Sequence, residues 1–596
     1  MRVGTGSAIT REVRAMAASL DPVGRTARGR FRALWPTGLL VLALGLGACG
    51  PAAAPAGPAA QQVAPAPTGP KTLVLTQQRE IDGIARSGRT APEVTHSVTA
   101  GLSRKNPETL EVEAWAAEAL PSVENGTWVI NPDGIMATTW RVKPNIFWHD
   151  GTPFSTKDLV FGWEVNADPQ VPVNNRRPGD LMSSLETPDD RTLIIRWKTS
   201  YQQAAGILGS ELFAMPRHIL EPLYRGGDYN AFINSPYWGS EMVHIGAYKV
   251  VRFEIGSHVE LAANDQYFLG RPKVDRIIFR IISDPNTSLA NVLSNEVDVG
   301  LDGALTVEGG IVADRDWVSK GEGVVKFTPL NWTWVNPSWT SPIFGWQAPN
   351  QARVRQAMLH SINRQEIVDS IFQGKEQVAY FPMSPGRRQF AAADAVATKY
   401  AYDTRRAEQL FGEAGWRKGA DGVLVNDRGD RFSVEFRSGG EDDLLAAVAD
   451  HLKTAGIETR QLVLSDTQDN SAENRNRWPG LYLGRFNVVV ESWFDRFHLS
   501  RTPSEADQWR GFGVTGWPNP AKDKVLEDIN SVIDPREIDR LMVELVRHFT
   551  ADLPHLPLKY NAEVTSYRSN VRGVPVRYES GGNTVRTWNI HEWDKV

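Results

Sequence analysis

Residues Trp140–Glu164, WRVKPNIFWHDGTPFSTKDLVFGWE, dictate more local structure than any other stretch of this chain. Trp140, Arg141 and Val142 alternate apolar and polar side chains, which is the period of a strand. His149 to Pro153 is turn chemistry, with Asp150-Gly151 at the sharp bend. Ser155 opens a helix, and Asp158 three residues later completes a capping box. Leu159, Val160, Phe161 and Trp163 supply the buried side of that helix. The polar groups are turn and cap groups, not groups arranged for catalysis. Physics alone therefore gives the stretch a structural role: a strand, a turn and a helix fixed against one another.

The same residues carry a resemblance. The pattern W-x-V, then W-x-D-G-x-P-F-x-x-x-D-L-x-F-x-W, is similar to the signature of bacterial extracellular solute-binding protein family 5, the peptide- and nickel-type substrate-binding components of ABC importers. Further segments resemble that family in order. They are Pro188-Asp189 before Thr192, Met215–His218, Ile245–Val250, Asn264–Phe268, Asn295–Asp298, Val354–Ala357, Glu413–Trp416 and Leu553–Leu558. Where the family usually has Asp-Arg, this chain has Asn363-Arg364, and Asn caps a helix about as well as Asp. The resemblance runs with gaps from Lys71 to Leu558 and is thinnest over Asp466–Trp517.

The N-terminus reads as an address. Arg25, Arg28, Arg30 and Arg32 precede the apolar run Thr37–Ala48, which falls short of the about 20 residues needed to span a bilayer. Leu46-Gly47-Ala48-Cys49 resembles a bacterial lipobox, which implies that Cys49 is lipidated and begins the mature chain. Residues 1–48 are then a leader, begun at Met1 or Met16. Gly50–Pro70 has no charge and almost no bulky side chain, so with Cys49 it reads as a Pro/Ala-rich tether over 49–70.

Composition narrows the function. Cys49 is the single cysteine, which excludes a disulfide framework and any paired-cysteine metal site. A net charge of −5 with no dense basic patch beyond the N-terminus argues against a nucleic-acid partner. The sequence holds no nucleophile-elbow, metalloprotease or phosphate-loop motif, so a non-enzymatic binder without cofactor or bound metal is expected; a lipid-anchored hydrolase is the runner-up. The 20 tryptophans suit either a large core or a cleft lined by flat aromatic surfaces.

The family resemblance implies an α/β, two-lobed, type II periplasmic-binding-protein-like fold whose N-terminal lobe carries an extra subdomain. The expected boundaries are 71–326 for the first lobe, with the subdomain at roughly 101–185, then 327–552 for the second lobe and 553–596 for a return to the first. It further implies a monomer that captures a small peptide between the lobes and hands it to a membrane permease, with oligosaccharide or metal chelate as alternative cargo. For the site, the resemblance points to Asn487–Asp495, a strand running into Glu491, Ser492, Trp493, Phe494 and Asp495. Trp493 matches a family tryptophan, and Asp495, or alternatively Glu491, matches the acid that holds a peptide's ammonium group. Trp332 and Trp334 lie on one face of the alternating strand that begins at Phe327, either as the opposite wall or as core packing.

Overall fold

The computed structural model describes residues 69–596 apart from 82, 85–91, 132–134, 174–175, 441, 470, 488–493, 495, 507, 510–515 and 580–583. The expected leader, Cys49 and the tether up to residue 68 therefore lie outside the described residues, as do Glu491, Trp493 and Asp495.

Local chemistry sets the elements where the sequence places them. The strand Met136–Arg141 and the helix Thr156–Ala167 flank the Asp-Gly turn, and Gly151 takes the positive φ of 91° that the bend requires. The Ser155 N–H donates to Asp158 Oδ2 at 2.9 Å, the reciprocal half of a capping box. Asn363 and Asp403 cap their helices by accepting from the backbone N–H groups of Glu366 and Arg406. Asp534 does the same for the long helix Pro535–Asp552, whose Leu541, Met542, Leu545 and Phe549 are buried.

An eleven-stranded mixed sheet runs through both lobes. In the N-terminal lobe, Thr72–Gln77 lies parallel to Arg276–Ile281 on one side and to Val299–Gly300 on the other. In the second lobe, Ser433–Ser438 lies parallel to Glu458–Val463 and to Leu481–Asn487. Two long antiparallel strands, Gly323–Pro337 and Leu556–Arg568, join the halves. Their ladder shifts register between Pro329 and Asn331. Residues 71–72 and 594–595 close the first lobe: Lys71 pairs with Asp594 at 2.7 Å, and Lys595 reaches both the Thr72 carbonyl at 3.0 Å and Asp298 at 2.9 Å.

Helices cover both faces of the second lobe's sheet, giving two cores. One contains Val335, Phe436, Val448 and Leu481; the other contains Trp332, Trp334, Leu526, Leu545 and Phe549. The N-terminal lobe has its own core around Leu73, Val259, Phe279 and Trp593. A separate four-stranded sheet, built from Trp128–Ile130, Met136–Arg141, Thr192–Trp197 and Met182–Asp189, forms the subdomain. Its strands continue to Trp197, past the residue 185 expected from sequence. Its core also takes in Ile207, Leu212, Ala214 and Ile245, while Leu220, Phe232, Tyr237 and Trp238 between them return to the core of the N-terminal lobe.

This packing explains the opening signature. Trp140 and Trp148 are almost completely buried. The His149 ring, also buried, lies 3.1 Å from the Gly246 carbonyl and accepts from the His244 N–H at 3.2 Å, so both imidazoles are locked into the packing. Burial lowers the pKa of His149 to about 4 and that of His244 to about 3. His218 meets Asp150 at 2.7 Å. The motifs at 140–164, 215–218 and 245–250, distant in sequence, thus form one structural node. Val160 and Trp163, expected on the buried side of the helix, are only partly covered.

Candidate functional site

Parallel strands present ligands outside their carboxyl ends, where backbone groups and loops converge. Here the two sets of parallel strands point at each other. In the first lobe they end at Gln77, Ile281 and Gly300; in the second, at Ser438, Val463 and Asn487. The long strand Leu556–Arg568 measures the gap between them. Gly300 is level with Ser566, and Asn331, opposite Asn487, is level with Asn561. Five strand residues at ~3.3 Å each put the two rims about 17 Å apart. The floor of this cleft is the stretch where the ladder is interrupted between Pro329 and Asn331.

On the first lobe's rim, the loops after the strands are tied together. Gln78 donates its backbone N–H to the Asp302 carbonyl at 3.2 Å and its amide to the Ser283 carbonyl at 3.0 Å. Behind them lies a buried charge cluster. Arg577 donates Nε to Glu563 at 2.8 Å, and its Nη2 reaches both Glu563 and Asp302. Arg586, fully buried, pairs with Glu563 and lies 3.5 Å from Glu93. Three carboxylates thus face two guanidinium groups. Asp302 is the most exposed member, at 22% of its side-chain surface. Burial pushes its pKa up, but the charges of Arg577, Arg586 and Arg79 outweigh that and hold it below the ordinary carboxylate value.

On the second lobe's rim, the loops after Ser438 and Val463 meet. Asp469 accepts from the Tyr482 hydroxyl at 2.7 Å, and a Cβ on Gly439 would stand 2.4 Å from the Asp469 carboxyl carbon. At the floor, Asn561 Oδ1 accepts from Thr333 at 2.8 Å and from Lys559 at 3.0 Å, and Lys559 in turn pairs with Glu376 at 2.6 Å.

The sequence-expected site residues fall in two groups. Glu491, Trp493 and Asp495 lie outside the described residues; the strand that leads to them, Leu481–Asn487, ends on the rim just described. Trp332 and Trp334 share one face of the crossing strand, with centroids 4.5 Å apart, and both are at most 2% exposed. They pack with Phe497, Trp517 and Phe549 beneath the helix Pro535–Asp552, and Gly484 leaves room for the Trp334 indole. His555 sits among these rings, held neutral by burial and by the nearby charge of Arg496. In this conformation neither indole offers a face to a ligand.

Sequence reasoning missed contacts that join the lobes. Arg388 bridges Glu111 in the first lobe and Asp539 in the second, each at 2.9 Å. Glu579 binds both Lys105 at 2.8 Å and Arg387 at 3.1 Å, with all three side chains buried. These residues follow no periodicity and carry no motif, so only the folded chain brings them together.

The model for bacterial extracellular solute-binding proteins, family 5 (Middle), matches residues 120–503. The chain belongs to that family. Among family 5 relatives, the oligopeptide-binding protein AppA of Bacillus subtilis is 23% identical over 507 residues, 82% of this chain and 84% of that one. Two solved structures share the fold. The oligopeptide-binding protein of Thermus thermophilus, complexed with a pentapeptide, superposes with a TM-score of 0.63 at 22% identity over 88% of this chain and 96% of its own. NikZ of Campylobacter jejuni, complexed with Ni(L-His), gives a TM-score of 0.65 at 20% identity over 88% and 99%. Like other family 5 proteins, the chain is an extracytoplasmic solute binder by class, and among its described residues no helix is long and apolar enough to cross a membrane.

Proposed function

We propose that this chain is the peptide-capturing, lipid-anchored component of an ABC importer and acts as a monomer without cofactor. The observation that carries the reading is the pair of facing rims. Two sets of parallel strands end across one gap, and the strand Leu481–Asn487, which precedes Glu491, Trp493 and Asp495 in sequence, ends on it. The oligopeptide-binding names of its relatives support peptide over metal chelate as cargo. The lobes take boundaries near 71–326 and 327–552, with a return at 553–596 and a subdomain built on the four-stranded sheet that ends at Trp197. The lipobox at Cys49 supports anchoring on the outer face of the membrane.

Ligand needs only to bind the closed arrangement better than the open one to shift the population. Closure about the interrupted ladder at Pro329–Asn331 then traps the peptide for delivery to the permease. Native mass spectrometry of protein purified without denaturation should reveal co-purified peptides, and small-angle scattering should show a smaller radius of gyration once peptide is added. Absence of compaction at saturating peptide refutes the reading.

A further inference from the structure

We propose that Gln202 of the subdomain and Ile533 of the second lobe form a latch that holds the cleft shut without touching the ligand. The proposal rests on the two-lobed solute-binding reading above. The turn Val532–Asp534 joins the helices Pro520–Ser531 and Pro535–Asp552. Its consecutive residues belong to different cores. Val532 packs in the second lobe with Leu526 and Ile529, whereas Ile533 packs against the subdomain core of Trp140, Trp197 and Ala204.

Gln202 faces the same turn. With its amide nitrogen turned toward the helix end, it donates to the carbonyls of Ile529 at 2.8 Å and Val532 at 3.2 Å. A helix leaves its last carbonyls without intrahelical donors. A side chain from the subdomain thus completes a helix of the second lobe, and an isoleucine of the second lobe completes the surface of the subdomain core.

Both parts are held by contacts of their own. The Tyr201 ring lies 5.1 Å from that of Trp197, its hydroxyl donates to Gln203 Oε1 at 3.0 Å, and Ala204 is fully buried. Across the gap, Asp534 caps its helix through the Arg536 N–H at 2.9 Å, and Pro535 fixes the backbone beside it. Pre-formed parts lose little ordering entropy on docking. The contact joins an amide and an apolar side chain. The latch acts beside the ion pairs of Arg388 with Glu111 and Asp539 and of Glu579 with Lys105 and Arg387, which also cross between the lobes.

The test uses the mature-length chain with Cys49→Ser and spin labels at Lys157→Cys and Lys524→Cys, both on exposed faces of their helices. Pulsed-EPR distances are recorded with and without a random nonapeptide library. Gln202→Ala combined with Ile533→Ala is expected to lower the ratio of short to long distances about tenfold in both conditions, with Ile533→Leu behaving as the parent. Matching circular-dichroism melts confirm that the variants fold. Distances in the double variant that superpose on the parent's in both conditions overturn the latch, whatever the library does. If the library leaves the parent's distances unchanged while the double variant still lengthens them, the latch stands and the peptide reading falls.

Discussion

Arg577→Met tests the buried charge cluster at the cleft rim. The side chain is 6% exposed and serves Glu563 and Asp302 together, while Arg586 alone remains for Glu563 and Glu93. Removing one partner from a buried ion network leaves uncompensated charge and costs about 3–5 kcal/mol, against about 0–1 kcal/mol for an exposed pair. Met preserves most of the volume, so a loss of that size at pH 7 reports electrostatics and not a cavity.

The pH dependence follows from Asp302. In the wild type its folded pKa is depressed, so it contributes stability above the unfolded value of ~3.9 and loses it as pH falls through the folded value. Without Arg577, burial is opposed only by Arg586 and Arg79, and the Asp302 pKa moves up. Protonation then discharges the unpaired group, so the deficit of the variant narrows between pH 7 and pH 4.5. Chemical denaturation at both values, followed by tryptophan fluorescence and circular dichroism, measures it. A loss below about 1 kcal/mol at pH 7, or a deficit that widens on acidification, would refute the reasoning.

Three further outcomes are expected. Gly162→Ala lies inside a helix, where alanine ordinarily gains about 1 kcal/mol, but its Cβ would stand 1.9 Å from the Phe213 carbonyl oxygen; overpacking of about 1–3 kcal/mol wins, and a raised melting temperature would contradict this. Asp495→Asn should weaken peptide binding by about 1.5–3 kcal/mol by calorimetry while leaving folding unchanged, and equal peptide affinity in Asp495→Asn and Glu491→Gln refutes the ammonium anchor. Cys49→Ser should move the protein from the membrane fraction to the soluble one, and its retention in membranes counts against lipidation.

The sequence was most informative where local chemistry decides the outcome. Capping by Ser155, Asn363, Asp403 and Asp534, the positive φ at Gly151, and the one-face pairing of Trp332 with Trp334 all follow from interactions spanning a few residues. What covers a face is another matter. The helix Pro535–Asp552, some two hundred residues downstream, is what buries the two indoles, and no periodicity in the strand encodes it. Glu563 shows the same limit. Arg577 and Arg586, well downstream of the strand, cover it together with Thr565, and no pattern in the strand announces them. The strand Thr192–Trp197 joins the four-stranded sheet for the same reason, since its pairing with Met136–Arg141 is a long-range contact.

The seam between residues 71–72 and 594–595 bears on how the molecule is made. A chain delivered from its N-terminus exposes the strand Thr72–Gln77 early, but that strand's parallel neighbour begins only at Arg276, and the seam waits for Lys595. The second lobe draws nearly all its core from one contiguous stretch and can assemble while the first is still unfinished. The lobe that starts first is therefore completed last. Until then its sheet offers unpaired edges to any neighbour, the condition under which slow, non-local β-structures aggregate. Shortening the chain by the few residues that carry Asp594 and Lys595 would lengthen that exposure, although those residues lie far from the cleft in sequence and carry no part of it.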